Sequence, residues 1–208
     1  MSRTSHSVIP SISEQVDRRL SLLQAAFEVI AERGFEGLRT RVVAEKAGVN
    51  VATLHYYFPS KMDLVTALAK FLGQQFATLH GPPPPTTGYA AWDRLRQEFS
   101  DVRYYRAECP GLTTVMIELG LRGHRDPAVR AVMEAMKPYW RLGLETMVRD
   151  GVDDGTFRKE LNVGQVTTTI MAILSGASSY NEEELDDTEK AVEQWLLAPE
   201  IQSKGRHK

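Results

Sequence analysis

TRVVAEKAGVNVATLHYYFPSK, residues 40–61, reads as two short helices joined by a sharp turn. Thr40 can cap a helix through its hydroxyl, and Val43, Ala44 and Ala47 then recur on one face at helical spacing. Gly48 can take the left-handed conformation that ends a helix without steric cost, and Asn50 is a good N-cap for the next. A second helix is predicted from about Val51 to Phe58, stopping where Pro59 restricts the residue before it and Ser60 offers a fresh N-cap. Two helices joined by a glycine-containing turn of this length cross steeply, which lets the second lie in a DNA major groove.

The rest of the chain sets the class. Its 208 residues are 42% hydrophobic and 25% charged with one cysteine, enough for a sizeable core and too few thiols for a disulfide within the chain. A reducing cytoplasm is the expected compartment. No apolar run approaches the roughly 18 residues of a membrane span, and the opening MSRTSHSVIPSISEQV lacks the continuous apolar stretch of a signal peptide, so neither export nor a membrane partner is expected. The net charge of −2 argues against indiscriminate nucleic-acid binding by the whole molecule, yet eight basic residues stand against six acidic ones up to Lys61. That asymmetry has the sign expected of an N-terminal DNA-binding module on a mildly acidic body.

Almost every segment carries a helical period. Ser11 with Glu14 forms a candidate capping box, and Val16, Leu20, Leu23, Phe27 and Ile30 make an apolar stripe that stops at Gly34. Val49, Leu54 and Phe58 are expected to close this small domain as core. From Ser60 a helix runs through Leu64, Leu68, Phe71, Leu72 and Phe76 to about Leu79, where GPPPPTTG at residues 81–88 must be an extended loop. Further apolar stripes occupy residues 89–107, 110–121, 127–152, 163–180 and 188–197, with an acidic turn expected around 181–187. No segment alternates with period two for long enough to argue a strand. The expected fold is all-α with about nine helices, divided into an N-terminal arm and helix-turn-helix domain over residues 1–61 and a helical body over 62–208.

In this arrangement the chain resembles a TetR/AcrR-type transcriptional regulator. The residues that carry the likeness are Thr40, Val43, Ala44, Ala47, Gly48, Val49, Thr53, Leu54, His55, Tyr57, Phe58, Lys61 and Leu64, preceded by ERGFEG at residues 32–37. The resemblance implies phosphate contacts from Thr40, Tyr57 and Lys61, and groove contacts from Arg41, Val51, Ala52, Thr53, His55 and Tyr56. The chemistry suits those tasks: Arg41 can present a bidentate fork to guanine, Thr53 offers a hydroxyl and a methyl, and Lys61 supplies a point charge. Two departures are visible, because His55 replaces the usual tyrosine and Val51-Ala52 offers no hydrogen-bonding side chain. Readout is therefore expected to lean on Arg41, Thr53, Tyr56 and DNA shape.

A single recognition helix reads only a few base pairs, so a two-fold dimer on a double-stranded operator is expected. Interface candidates on the last two long helices are Val166, Ile170, Ile173, Leu174, Ala177, Val192, Trp195 and Leu196, and the resemblance implies that this pair builds a four-helix dimer bundle. Residues 127–152 carry a broad Met-rich stripe with a kink expected from Pro138 near Glu134. Met133, Met136, Trp140, Leu144 and Met147, helped by Trp92, Phe99 and Met116, are the candidate lining of an apolar effector pocket.

Catalysis finds no motif: there is no glycine-rich phosphate loop, no H-E-x-x-H and no G-x-S-x-G, and the five histidines are too scattered for a metal site. No cofactor is expected. Cys109 reads as a buried small hydrophobe, with a redox-sensing thiol as the sharper option. The expected function is that of a dimeric repressor released from its operator by a small, largely apolar effector. Its rivals are a regulator without an effector or under a partner protein's control, whose core would be filled, and an all-α enzyme, which would need clustered titratable groups in the cavity.

Overall fold

The computed structural model describes residues 12–205, which fold as an all-α protein without named strands among the described residues. They form two compact units. The first takes in the chain up to Phe71 together with Thr114–Val132, and the second Leu72–Thr113 together with the chain from Met133 onward. The boundary expected after Lys61 thus differs from this grouping, which adds residues 62–71 and Thr114–Val132 to the N-terminal module.

In the first unit, α1 (Ile12–Arg33) is followed by a 3-10 turn (Phe35–Gly37), α2 (Thr40–Lys46) and α3 (Val51–Tyr57), and residues 61–71 of α4 (Lys61–Thr78) complete the N-terminal part. The core is built from Leu22, Leu23, Ala26, Val29 and Ile30 of α1 with Val43, Ala44, Leu54 and Phe58, all buried. The expected stripe on α1 needs correction at its start, because Val16 is 60% and Leu20 40% exposed and Phe27 is half-buried. The helix instead turns its 22, 23, 26, 29 and 30 positions inward, a face rotated by about a quarter turn from the expected stripe. Val49 is half-buried rather than core. Lys46 ties α2 to α1 by ion pairs to Glu28 and Glu32 at 3.1 and 2.7 Å. The Ser11 capping box lies outside the described residues.

The second unit packs α5 (Ala90–Glu108), α8 (Lys137–Asp153), α9 (Val163–Gly176) and α10 (Glu182–Leu196) around one cluster. Trp92, Leu95 and Phe99 of α5, Leu144, Met147 and Val148 of α8, and Phe157 between α8 and α9 are among its buried members. Two further helices, α6 (Pro110–Gly123) and α7 (Pro127–Glu134), precede α8, and α11 (Pro199–Gly205) follows α10.

Two expectations change here. The kinked helix over 127–152 is two helices, since α7 ends at Glu134 and Pro138 sits in the first turn of α8. A proline has no N–H to lose there, so a fresh start costs less than a kink. The acidic turn at 181–187 is instead the beginning of α10: the Asn181 side chain accepts from Glu184 N at 2.9 Å, and the Glu184 carboxylate accepts from Asn181 N at 2.8 Å. Glu182, Glu183 and Glu184 sit where the helix dipole favours negative charge. Cys109 is a half-buried free thiol at the end of α5, not a buried one.

The loop between α4 and α5 is held by side chains of α5. Tyr105 donates to Leu79 O, Asp101 accepts from Gly81 N, Gln97 donates to Gly81 O, Ser100 donates to Pro82 O, Arg96 donates to Pro85 O, and Asp93 accepts from Thr87 N. The four prolines at residues 82–85 bring no N–H of their own, and α5 supplies partners for the carbonyls and for the N–H groups on either side. Gly81 is required by the fit, because a Cβ there would lie 2.8 Å from Ser100 O.

Candidate nucleic-acid interface

The turn between α2 and α3 is built by three backbone facts. Gly48 sits at φ 66°, its N–H donates to Glu45 O at 3.0 Å, and Val49 N donates to Ala44 O at 2.9 Å. This pair of bonds satisfies the last carbonyls of α2 and turns the chain sharply. Asn50 then caps α3, its Oδ1 accepting from Thr53 N at 2.7 Å and from Thr53 Oγ1 at 3.0 Å. The cap expected from Thr40 is not formed: Arg39 is the N-cap of α2, without a side-chain bond, and Thr40 is the first helical residue.

Short helices so placed expose a polar face. Arg41, Ala52, His55 and Tyr56 are exposed, and Thr40, Val51, Thr53 and Tyr57 are half-buried, while Leu54 and Phe58 anchor α3 below. Tyr56 is 72% exposed and meets Tyr57 edge-to-face at 5.1 Å between ring centroids. An apolar ring in water at that level of exposure is unusual for packing and natural for a contact surface. Thr53 reaches this face with its hydroxyl already engaged by Asn50.

Lys61 opens α4, which Ser60 and Asp63 cap reciprocally: Ser60 N and Oγ donate to Asp63 Oδ2 at 2.9 and 2.7 Å, and Asp63 N donates to Ser60 Oγ at 3.1 Å. The Lys61 ammonium lies 4.5 Å from the centre of the Phe35 ring, and burial pushes its pKa below the usual lysine range. Arg122 lies over the same ring at 5.2 Å and pairs with Glu36 and Asp126.

One feature of this unit has no counterpart among the expected contacts. A hollow of about 250 Å³ lies at the C-terminal end of α3, lined among others by Arg19, Tyr57, Pro59, Asp63, Thr66 and Lys70. Arg19 and Lys70 stand far from the 40–61 stretch in sequence, and helical spacing alone gives neither residue a role.

In the second unit the predicted pocket residues divide. Trp92, Phe99, Leu144 and Met147 are buried in the core cluster and Trp140 packs against it, whereas Met133 and Met136 are half-buried outside the cluster. Met116, also half-buried, belongs to the first unit. Glu98, which sequence reading passed over, receives the Trp140 indole N–H at 3.4 Å, and burial pushes its carboxyl above the ordinary range. One hollow in this unit is an open groove of about 580 Å³ whose lining includes Trp92 together with Arg96, Arg103, Asp186, Glu189 and Lys190. Its charges answer one another, with Arg103 donating to Glu182, Asp186 and Glu189 at 2.6–2.8 Å.

Of the interface candidates, Val166, Ile170, Leu174, Ala177, Val192 and Leu196 are buried inside the protomer's own core. They cannot also face a second copy in this conformation, so the expected contact set must be corrected to residues left at the surface. Ile173 is partly buried and Trp195 36% exposed. Exposed Thr168, Thr169, Ala172, Ser175 and Gly176 share the outer side of α9.

No described helix is long and apolar enough to cross a membrane. Among the described residues, no cluster of His, Cys, Asp or Glu is arranged to hold a metal ion.

Residues 22–68 match the model of the bacterial regulatory proteins of the tetR family. The chain is 33% identical over 108 residues to the HTH-type transcriptional repressor KstR of Rhodococcus jostii, covering 51% of the chain and 49% of that protein, so it aligns with about half of that relative's length. It is 27% identical over 164 residues to the HTH-type transcriptional repressor KstR2 of Mycolicibacterium smegmatis, covering 74% of each. A TetR transcription regulator from Haloarcula marismortui shares the fold with a TM-score of 0.72 at 21% identity, covering 88% of this chain and all of that one.

Proposed function

The chain belongs to the TetR family of bacterial regulatory proteins, and from that premise we propose that it is a cytoplasmic, dimeric transcriptional repressor that binds double-stranded operator DNA through α3. The observation that carries this is the capped, glycine-turned pair α2 and α3, which leaves Arg41, His55 and Tyr56 on a solvent-facing surface while Leu54 and Phe58 are buried beneath it. Thr40, Tyr57 and Lys61 then serve as phosphate contacts, and Arg41, Val51, Ala52, Thr53, His55 and Tyr56 approach base edges.

Two half-sites one helical turn apart call for recognition helices about 34 Å apart, hence a two-fold dimer. The outer side of α9 with Trp195 of α10 is the surface that fits this role, since the small residues there permit close approach. A small effector bound in the body that shifts α4 changes the separation of the two α3 helices. A coupling free energy of about 1–3 kcal/mol is enough to weaken simultaneous engagement of both half-sites.

A second reading has its own support: Trp92, Phe99, Leu144 and Met147 are members of the buried core cluster, which suits a regulator that has no apolar effector. Fluorescence-anisotropy titration of the protein against the intergenic DNA upstream of its gene, and against a scrambled duplex, tests the DNA-binding claim. Saturable preference for the upstream DNA supports it, and equal weak binding to both removes autoregulation. An effector screen on the same complex separates the two readings.

A further inference from the structure

We propose that the hollow at the end of α3 seats one phosphate of the DNA backbone, held by Arg19 and Lys70 beside Tyr57, an inference that rests on the DNA-binding reading above. The hollow, about 250 Å³, joins three helices: Arg19 comes from α1, Tyr57 from α3, and Thr66 and Lys70 from α4. Its hydrogen-bonding groups are mostly donors. Its lining residues carry a guanidinium fork, an ammonium and two hydroxyls, a set that calls for a ligand with several acceptor oxygens.

The charges there are available. Arg19 and Lys70 are exposed, and neither forms an ion pair among the described residues. The acid on the rim, Asp63, directs Oδ2 at both donors of Ser60, so it is committed to starting α4. The Arg19 guanidinium lies 5.1 Å from the centre of the Phe58 ring. Phe58 is fully buried, which fixes this charge against the root of α3 instead of leaving it to swing in solvent.

Position selects DNA as the source of the phosphate. Tyr57 is the last residue of α3 and also lines the hollow. A helix lying in a major groove about 12 Å wide has a phosphate ridge beside it, and a basic hollow adjoining the helix end meets that ridge. No base edge is needed for this contact, so it adds affinity to every sequence alike.

The test is a salt titration of anisotropy on the upstream duplex and a scrambled duplex, with the unaltered protein, the double variant Arg19→Gln/Lys70→Gln, the single variant Lys70→Gln, and the conservative pair Arg19→Lys/Lys70→Arg. Losing one phosphate per protomer reduces the slope of log K against log salt by about 0.9, or about 2 for a dimer on two half-sites. We expect that loss in the double variant, with equal weakening on both duplexes, a smaller loss in Lys70→Gln, and a near-normal slope in the conservative pair. Lys70→Gln alters no described packing contact and serves if the double variant melts early. An unaltered slope, or a loss confined to one duplex, overturns the phosphate seat while leaving DNA binding standing. Failure of the unaltered protein to bind either duplex at low salt overturns the DNA-binding reading and the seat with it.

Discussion

Phe157 lies across Gly151 so closely that a Cβ on the glycine would fall within the ring's own volume. The ring is fully buried, and Phe157 N donates to Gly151 O at 2.7 Å, so neither partner can retreat. Gly151→Ala is expected to destabilise the protein by about 1–3 kcal/mol, the scale of overpacking. Gly143, about two turns earlier in α8, meets nothing within 4 Å. Gly143→Ala should leave stability unchanged or raise it by up to about 1 kcal/mol, since helix propensity is then the only change. Urea unfolding of the two variants side by side checks the contrast.

Asn50→Ala removes the acceptor for Thr53 N and leaves α3 without its cap. A loss of about 0.5–2 kcal/mol is expected in the melting of the protein, with Asn50→Asp close to normal. Equal melting of Asn50→Ala and the unaltered protein would mean that α3 needs no cap.

Arg41 is exposed on α2, and its fork is the group on this surface best suited to guanine. Arg41→Ala should weaken binding to the upstream duplex by about 1–3 kcal/mol and flatten the preference for it, whereas Tyr57→Phe and Lys61→Ala should weaken all duplexes alike. Competition anisotropy with single base-pair substitutions distinguishes these outcomes.

His80 Nδ1 lies 2.9 Å from Asp101 Oδ2, and that hydrogen bond raises the histidine pKa above 6.5. A raised pKa stabilises the protonated folded form, so the contribution is complete below the unfolded-state pKa and fades as pH rises through the folded one. The melting-temperature gap between the unaltered protein and His80→Gln should therefore be wider at pH 6 than at pH 8.5. His80 is half-exposed, which holds the effect to within about 1 kcal/mol. A gap independent of pH would show that the pair is not ionic.

Trp195 is the large apolar side chain that α10 leaves at its surface, at 36% exposure. If it meets a second copy, Trp195→Arg should raise the dimer dissociation constant by tenfold or more while far-UV circular dichroism stays the same. Analytical ultracentrifugation across a concentration series reads this out.

The helix-turn-helix was legible because its signals are local. Gly48 at positive φ and Asn50 bonded to Thr53 act within a few residues of one another, and such signals survive without knowledge of the tertiary fold. Apolar stripes are different. Ile170, Leu174, Val192 and Leu196 announce a covered face but not which chain covers it, and here the cover is their own protomer. Val16 and Leu20 fit a helical period that α1 does not use inward, since the packing face was chosen by partners elsewhere in the chain. Pro138 was readable as a disturbance, yet whether it bends one helix or begins another depends on the residues packed around it. Arg19 and Lys70 share a hollow that no sequence spacing foretells, because three separate helices must be assembled to make it.

Apart from Gln97, which also reaches Gly81 O, the loop from Leu79 to Thr87 meets α5 in reversed order, from Tyr105 through Asp101, Ser100 and Arg96 to Asp93. Extended proline-rich chain advances about 3.1 Å per residue and helix about 1.5 Å, so each loop residue spans more than one position along α5. The segment therefore behaves as a tape read against a ruler. Where ordinary surface loops absorb insertions freely, one added residue here would put every later carbonyl out of step with its donor, and its length is as much a part of the fold as any helix.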